Sequence, residues 1–366
     1  MQDVLALVGF VAAVYLVGQA AELLRCPGLL GELLAGVILG PHGLQLLSAD
    51  MAGSLKTAGE LGLLLMVMDG GLAMELPVLR KQGGRATVLA LTGTALPVLL
   101  GWATMVALGT GGLAAVAAGT ALSSTAIGFT LRMMSDLQLL ETPQGQLITA
   151  AAMLDDVFSL VLLAMLRALQ PAEDGQLRIE AWPLIRPLVA SLGVLVAAVA
   201  CAALTRRIDA MLRAPPQRAP PDAPPDAPPE APPGGRWQQW REMLLAPAAT
   251  VAAMVALGVL LAGAAEAVGS SALLGAFVAG TSFCFLPHAR VAWAGAAAAP
   301  QAWLSRLFFG ATVAFEVPLA SLVGASAVGD GLAMTAAAIL GKFLSGAWAV
   351  PLVTSQGCAG RPFWGG

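Results

Sequence analysis

Charge is what this sequence has least of. Of its 366 residues, 11% are Asp, Glu, Lys or Arg, against about 25% in an ordinary soluble domain. Hydrophobic residues make up 58% and the mean hydropathy is +0.80. That balance excludes a typical water-soluble globular fold. Nineteen Lys and Arg against 22 Asp and Glu leave a formal net charge of −3. With no basic aromatic patch, no nucleic-acid partner is expected. The four cysteines, Cys26, Cys201, Cys284 and Cys358, are scattered without a CxxC pair. They supply neither a zinc site nor a disulfide framework and read as small apolar packing residues. The two histidines, His42 in GPHGL and His288 in LPHAR, fall in turns without metal-ligand company. No metal and no cofactor is expected.

What is abundant is long apolar sequence. About eleven hydrophobic segments lie near residues 4–24, 29–47, 56–76, 86–108, 112–134, 145–169, 183–205, 244–266, 270–287, 303–323 and 327–353. About 20 apolar residues cross a bilayer as a helix, so the chain reads as an all-α, polytopic membrane protein. The first segment lacks a basic n-region and an A-x-A-like cleavage site, so it reads as a retained helix and not a signal peptide. Residues 214–235, APPQRAPPDAPPDAPPEAPPGG, form a Pro-dense near-repeat expected to be an extended, solvated tether. It divides the membrane part into residues 1–213 and 236–366. Lys and Arg cluster after odd-numbered segments, among them Arg25, Arg80, Lys81, Arg85, Arg132, Arg206, Arg207, Arg213 and Arg290. Cytoplasmic loops favour such residues. This predicts a non-cytoplasmic N-terminus and a cytoplasmic Pro-rich linker and C-terminus.

Polar residues inside apolar segments carry the chemistry. Asp155 and Asp156 sit side by side in AAMLDDVFSLVLLAML. A carboxylate at bilayer depth costs about 2.5–3.5 kcal/mol on insertion scales, so two together point to use. Ser123, Ser124 and Thr125 form a polar knot between Gly119 and Gly128. Two readings stay open: hydroxyls bonded back to the preceding turn of an intact helix, or a broken helix lining an ion site. Lys342 lies near the middle of MTAAAILGKFLSGAWAVPL, the only basic residue read as well inside a late segment. A buried ammonium needs a carboxylate, and the aspartate pair is the obvious candidate. Glu32, Asp69, Glu266 and Glu316 lie near segment ends or breaks and read as structural, Glu32 near a helix start where the dipole favours an anion. Gly36 and Gly40 make a GxxxG suited to close helix packing.

These patches together resemble the monovalent cation:proton antiporter-2 group, the Kef-like sodium or potassium/proton exchangers. PGLLGELLAGVILGP at 27–41 is similar to that family's opening P-x-LG-E-x-LAG-x-x-LGP. ELGLLLMVMDGGLAMEL, ALSSTAIGFTLRMM, GQLITAAAMLDDVFSLVLLA, SALLGAFVAG and RLFFGATVAF match later patterns in order. The resemblance implies an inverted-repeat fold with discontinuous crossing helices and a dimerisation domain, hence a homodimer. It also implies that Na+ or K+ and H+ are the transported ions. It places cation and proton on Asp156, pairs Asp155 with Lys342, and sets Thr125 and Ser124 at the break of the first crossing helix. Two departures stand out. Asp69 occupies a usually apolar position, and family members continue for about two more membrane helices where this chain ends, so the C-terminus is expected to be truncated. No Kef-type nucleotide-binding domain is present in the sequence.

The expected mechanism is alternating access, with cation and proton displacing each other at the aspartates. The first alternative is an inactive or scaffold membrane protein derived from the same fold. The second is an intramembrane aspartyl protease. That chemistry needs aspartates on different helices and often a GxGD element, and Ala327-Val328-Gly329-Asp330 has Ala in place of the first Gly. A bile-acid-type symporter would share the broken-helix logic without the aspartate–lysine pattern.

Overall fold

The computed structural model describes residues 2–74, 76–124, 139, 142–168, 181–213, 243, 246–318 and 324–354. All regular structure among them is helical: α1 (Gln2–Leu23), α2 (Gly28–Leu39), α3 (Ala49–Leu72), α4 (Leu76–Ala107), α5 (Gly112–Ser123), α6 (Pro143–Ala168), α7 (Ala181–Arg213), α8 (Pro247–Ala267), α9 (Ala272–Phe283), α10 (Pro287–Ala296), α11 (Ala298–Leu307) and α12 (Ala325–Thr354). Among the described residues seven helices are long and apolar enough to cross a membrane, namely α1, α3, α4, α6, α7, α8 and α12, while α2, α5 and α9 are shorter apolar helices. A backbone in hydrocarbon must satisfy its own hydrogen bonds, which an α-helix does within one segment. The Pro-rich linker at 214–235 lies outside the described residues.

Short connections follow from local chemistry. Gly109 and Gly269 take positive φ of 87° and 90° just past α4 and α8. At each, paired backbone bonds close the helix, Thr110 N–H to Met105 O and Gly109 N–H to Val106 O at the first, Ser270 N–H to Ala265 O and Gly269 N–H to Glu266 O at the second. This is the Schellman geometry, which glycine enters without a Cβ penalty.

Helix packing uses small residues. In lipid, apolar burial does not drive helices together, so backbones must approach closely to gain dispersion contacts. A methyl group at Gly36 would collide with the carbonyl oxygen of Gly310, and one at Gly40 with the ring of Phe315. The GxxxG of α2 is therefore a packing seam. Helices α3 and α9 cross at Gly71 and Gly280, where added methyls would strike the carbonyls of Phe277 and Met68. Helix α4 packs against α5, α6 and α12. Phe10, Val14, Ala35, Leu55, Ala314 and Phe315 make one buried cluster joining α1, α2 and α3 to the end of the α11 segment. Val189, Leu192 and Val196 leave α7 with an exposed apolar stripe, as expected of a face turned to lipid.

Four expectations about segments change. The segment at 303–323 is not one helix: α11 passes into a π-turn at Phe308–Val313 and a 3₁₀ turn at Ala314–Glu316, and Val317 is extended. The segment at 112–134 ends as a helix at Ser123, and Ser124 is extended (φ −61°, ψ 136°). Residues 287–296, including His288, form a short helix where a turn was expected, with Pro287 in the first turn. Proline favours that position because its missing N–H would have no partner there. Arg80, Lys81, Arg85, Arg206, Arg207 and Arg213 lie within α4 and α7, not in loops.

Candidate functional site

Helix α6 brings in the aspartate pair. Its start is fixed by Thr142, whose Oγ1 accepts a hydrogen bond of 3.0 Å from the Gly145 N–H, followed by Pro143. A threonine cap followed by proline is a strong helix-start signal. Consecutive helical residues point about 100° apart, so Asp155 and Asp156 meet different surroundings. Asp155 is buried and faces α4; Asp156 is partly exposed.

Asp155 is held from two sides. Thr94 of α4 donates to its Oδ1 at 2.5 Å. The same hydroxyl lies 2.9 Å from the Ala90 carbonyl, but it has one proton, and an ionised carboxylate can only accept. With Asp155 charged, that proton points to the carboxylate. Lys342 of α12 places Nζ 3.5 Å from Asp155 Oδ2. This separation gives a Coulomb attraction without a good hydrogen bond, and Oδ2 is otherwise buried without a hydrogen-bond partner among the described residues. Close approach of α12 to α4 sets the lysine's reach. Gly341 lies against Pro97, where a Cβ would come within 2.8 Å of the proline Cα. Pro97 is three residues from Thr94 on the same helix.

Asp156 has no hydrogen-bond or ion-pair partner among the described residues. Ser159, three positions on and hence on a neighbouring part of the helix surface, has a buried Oγ with no partner among the described residues. Ser123 is fully buried and its hydroxyl donates back to the Thr120 carbonyl at 2.8 Å. Ser124 sits at the point where α5 stops. Thr125 lies outside the described residues. The structure thus brings together Asp155, Asp156 and Lys342, and adds Thr94 and Ser159. Nothing in the sequence around Thr94 marked it; its partner is 61 residues away.

Several other buried or half-buried charged groups are engaged elsewhere, while Arg85 keeps a buried Nη1 without a hydrogen-bond partner among the described residues. Arg306 of α11 donates to Glu32 of α2 at 3.1 Å, and its guanidinium lies 4.8 Å from the Tyr15 ring centroid and 4.9 Å from that of Trp303. Asp69 accepts from Gln301 at 3.3 Å, which in turn accepts from the Trp293 indole. Lys56 pairs with Glu316. Among the described residues no three His, Cys, Asp or Glu side chains gather as a metal site.

Comparison with known proteins identifies the family and the fold. Residues 9–219 match the family model described as "Sodium/hydrogen exchanger, transmembrane". The high-affinity Na(+)/H(+) antiporter NhaS3 of Synechocystis is 28% identical over 196 residues, covering 44% of this chain and 42% of that protein. Cation/H(+) antiporter 18 of Arabidopsis thaliana is 33% identical over 169 residues, covering 42% of this chain and 21% of that protein. The chain thus spans less than half the length of these curated relatives. The solved sodium proton antiporter MjNhaP1 of Methanocaldococcus jannaschii aligns with a TM-score of 0.59 over 94% of this chain and 79% of that one, at 17% identity. At that identity the likeness establishes a shared fold.

Proposed function

The chain belongs to the sodium/hydrogen exchanger family, and on that premise we propose that it exchanges Na+ or K+ for protons across a membrane, with Asp156 as the exchanging carboxylate. One observation carries this reading. Of two adjacent intramembrane acids, Asp155 is engaged by Thr94 and Lys342 while Asp156 is left open. A carboxylate that carries a proton cannot offer the same charge to a cation, so the two ions compete for Asp156. Asp155 and Lys342 form the fixed, compensated background against which that competition runs. Ser159 Oγ supplies an uncommitted oxygen one turn along. Ser124, where α5 stops, contributes a further oxygen, since freed backbone near a cavity is a usual place for a desolvated cation; the family resemblance adds Thr125 to this set.

Movement between the two faces would be a rocking of the unit built on α4, α5, α6 and α12 against the unit built on α3, α8, α9 and α11. Basic residues at the start of α4 and the end of α7 support a cytoplasmic location for those ends, and with them the Pro-rich linker at 214–235. The proposal includes a homodimer, as the family resemblance implies; cross-linking in native membranes that yields monomer alone would remove that part.

The test is proton movement driven by added Na+ or K+ in proteoliposomes. The wild-type chain is expected to show it and Asp156→Asn to lose it. Undiminished exchange in Asp156→Asn, or none in correctly inserted wild type, overturns the assignment.

A further inference from the structure

A cavity of about 950 Å³ lies between α4, α6, α7 and α9. That is at the upper end of ligand-pocket sizes. Its walls are apolar, with Leu154, Val157, Phe158, Leu195, Val199 and Phe277 among them. Three polar residues line it, Lys81, Arg206 and Thr281. The Thr281 hydroxyl is already committed to the Val278 carbonyl at 2.9 Å. No carboxylate lines it, so it offers a cation nothing. Apolar cavities do not hold ordered water.

Of the two cationic residues, Lys81 stands near the start of α4 and Arg206 near the end of α7. Helix α3 ends where α4 begins, so Met74 and Lys81 share a side of the bundle. Arg290 donates to the Met74 carbonyl at 3.0 Å, which brings the segment after α9 to that same side. Thr205 of α7 donates to the Ser282 carbonyl at 2.5 Å, and the next residue, Arg206, lies 4.7 Å from the Phe285 ring centroid. Both Lys81 and Arg206 are exposed. A greasy chamber with a cationic rim at the membrane surface matches one kind of molecule, an amphiphile with an anionic head. Basic pockets between membrane helices on the cytoplasmic side are suited to such headgroups.

We infer that this cavity is a binding site for an anionic phospholipid, its acyl chain between α6, α7 and α9 and its phosphate between Lys81 and Arg206. The hydrocarbon contacts give no preference among lipids, because the bulk bilayer offers the same. Selectivity comes from the two cations. About 1 kcal/mol per basic residue near the surface converts to roughly thirtyfold for the pair.

The test uses the full chain purified in neutral detergent and titrated with phosphatidylglycerol or phosphatidylcholine of identical acyl chains, with retained lipid read by native mass spectrometry. Phosphatidylglycerol is expected to be held roughly thirtyfold more tightly, and Lys81→Gln with Arg206→Gln together to abolish the difference. Equal retention in the wild type, or a preference that survives the double substitution, overturns the proposal. So does displacement of the lipid by millimolar inorganic phosphate, which would make the site one for the free anion. A phosphatidylglycerol with a diazirine in its acyl chain checks the position independently of any mutant's folding. Labelling is expected in the stretches 154–158, 195–206 and 277–285, and labelling confined to other helices refutes the assignment. Binding is read without transport, so its outcome is independent of the exchanger assignment.

Discussion

Replacing Thr94 by valine keeps the shape and removes one proton donor. Thr94 and Asp155 are 6% and 5% exposed, so water cannot replace the lost partner. A hydrogen bond to a charged group contributes about 1.5–3 kcal/mol in general. Interhelical bonds inside bilayers average about 0.6 and reach about 1.7 kcal/mol, because the unfolded state in the membrane finds partners too. A 2.5 Å contact to a buried carboxylate belongs near the top of that range, so we expect a coupling of about 1.5 kcal/mol. The assay is a double-mutant cycle, Thr94→Val and Asp155→Leu singly and together, read by reversible unfolding in mixed micelles; leucine, unlike asparagine, keeps no acceptor for the Thr94 hydroxyl. Loss of the Lys342 contact is common to both Asp155→Leu arms and cancels. Thr94→Ser is expected to stay near wild type, since it retains the hydroxyl. Additivity within about 0.3–0.5 kcal/mol would mean the two residues do not interact, and the picture of Asp155 as the pinned partner would fall.

Three further outcomes follow from the packing and the charges. Gly280→Val should lower stability by about 1–3 kcal/mol, as overpacked sites do, since its methyls would strike the Met68 carbonyl; Gly263→Val, with nothing within 4 Å of its added Cβ, is the control in the same thermal assay. Arg306→Leu leaves the partly buried Glu32 without its cation and should cost about 1–3 kcal/mol, with part of the loss recovered by adding Glu32→Gln, both read as unfolding midpoints. His288 pairs with Asp209 at 3.3 Å, yet burial first, and the nearby Arg213 second, hold its pKa below the usual 6.5. The native state therefore releases this proton more readily than the unfolded one. Above the usual value there is no effect, and stability falls as the pH drops through it, because the unfolded chain takes up the proton first. Unfolding midpoints taken from about pH 7.5 down to about 5.5 should drop, and His288→Gln should flatten that part of the curve.

The first half of the candidate site was readable in the chain because its signal is local. Two acids inside an apolar run, and one lysine in another, stand out from hydropathy alone. Of the two readings left open by the polar knot beside glycine, the described residues show a feature of each: the Ser123 hydroxyl bonds back to Thr120, and α5 stops at Ser123 with Ser124 extended. The glycines at 36 and 40 announced close packing, though not that Gly310 and Phe315 would be their mates.

What the sequence alone determined is the all-helical, membrane-spanning class, the depth of the aspartates and the resemblance to an exchanger. Apolar length and the cost of burying charge depend only on neighbouring residues. The resemblance had already paired Asp155 with Lys342; what tertiary structure added is the second partner of Asp155, Thr94, and the cation on Glu32. Thr94 reaches Asp155 across 61 residues and Arg306 reaches Glu32 across 274. A threonine and an arginine in apolar helices have no local pattern that names their partners. Only the crossing of α4 with α6 and α12, set by the small residue Gly341 against Pro97, brings donor, ammonium and carboxylate together.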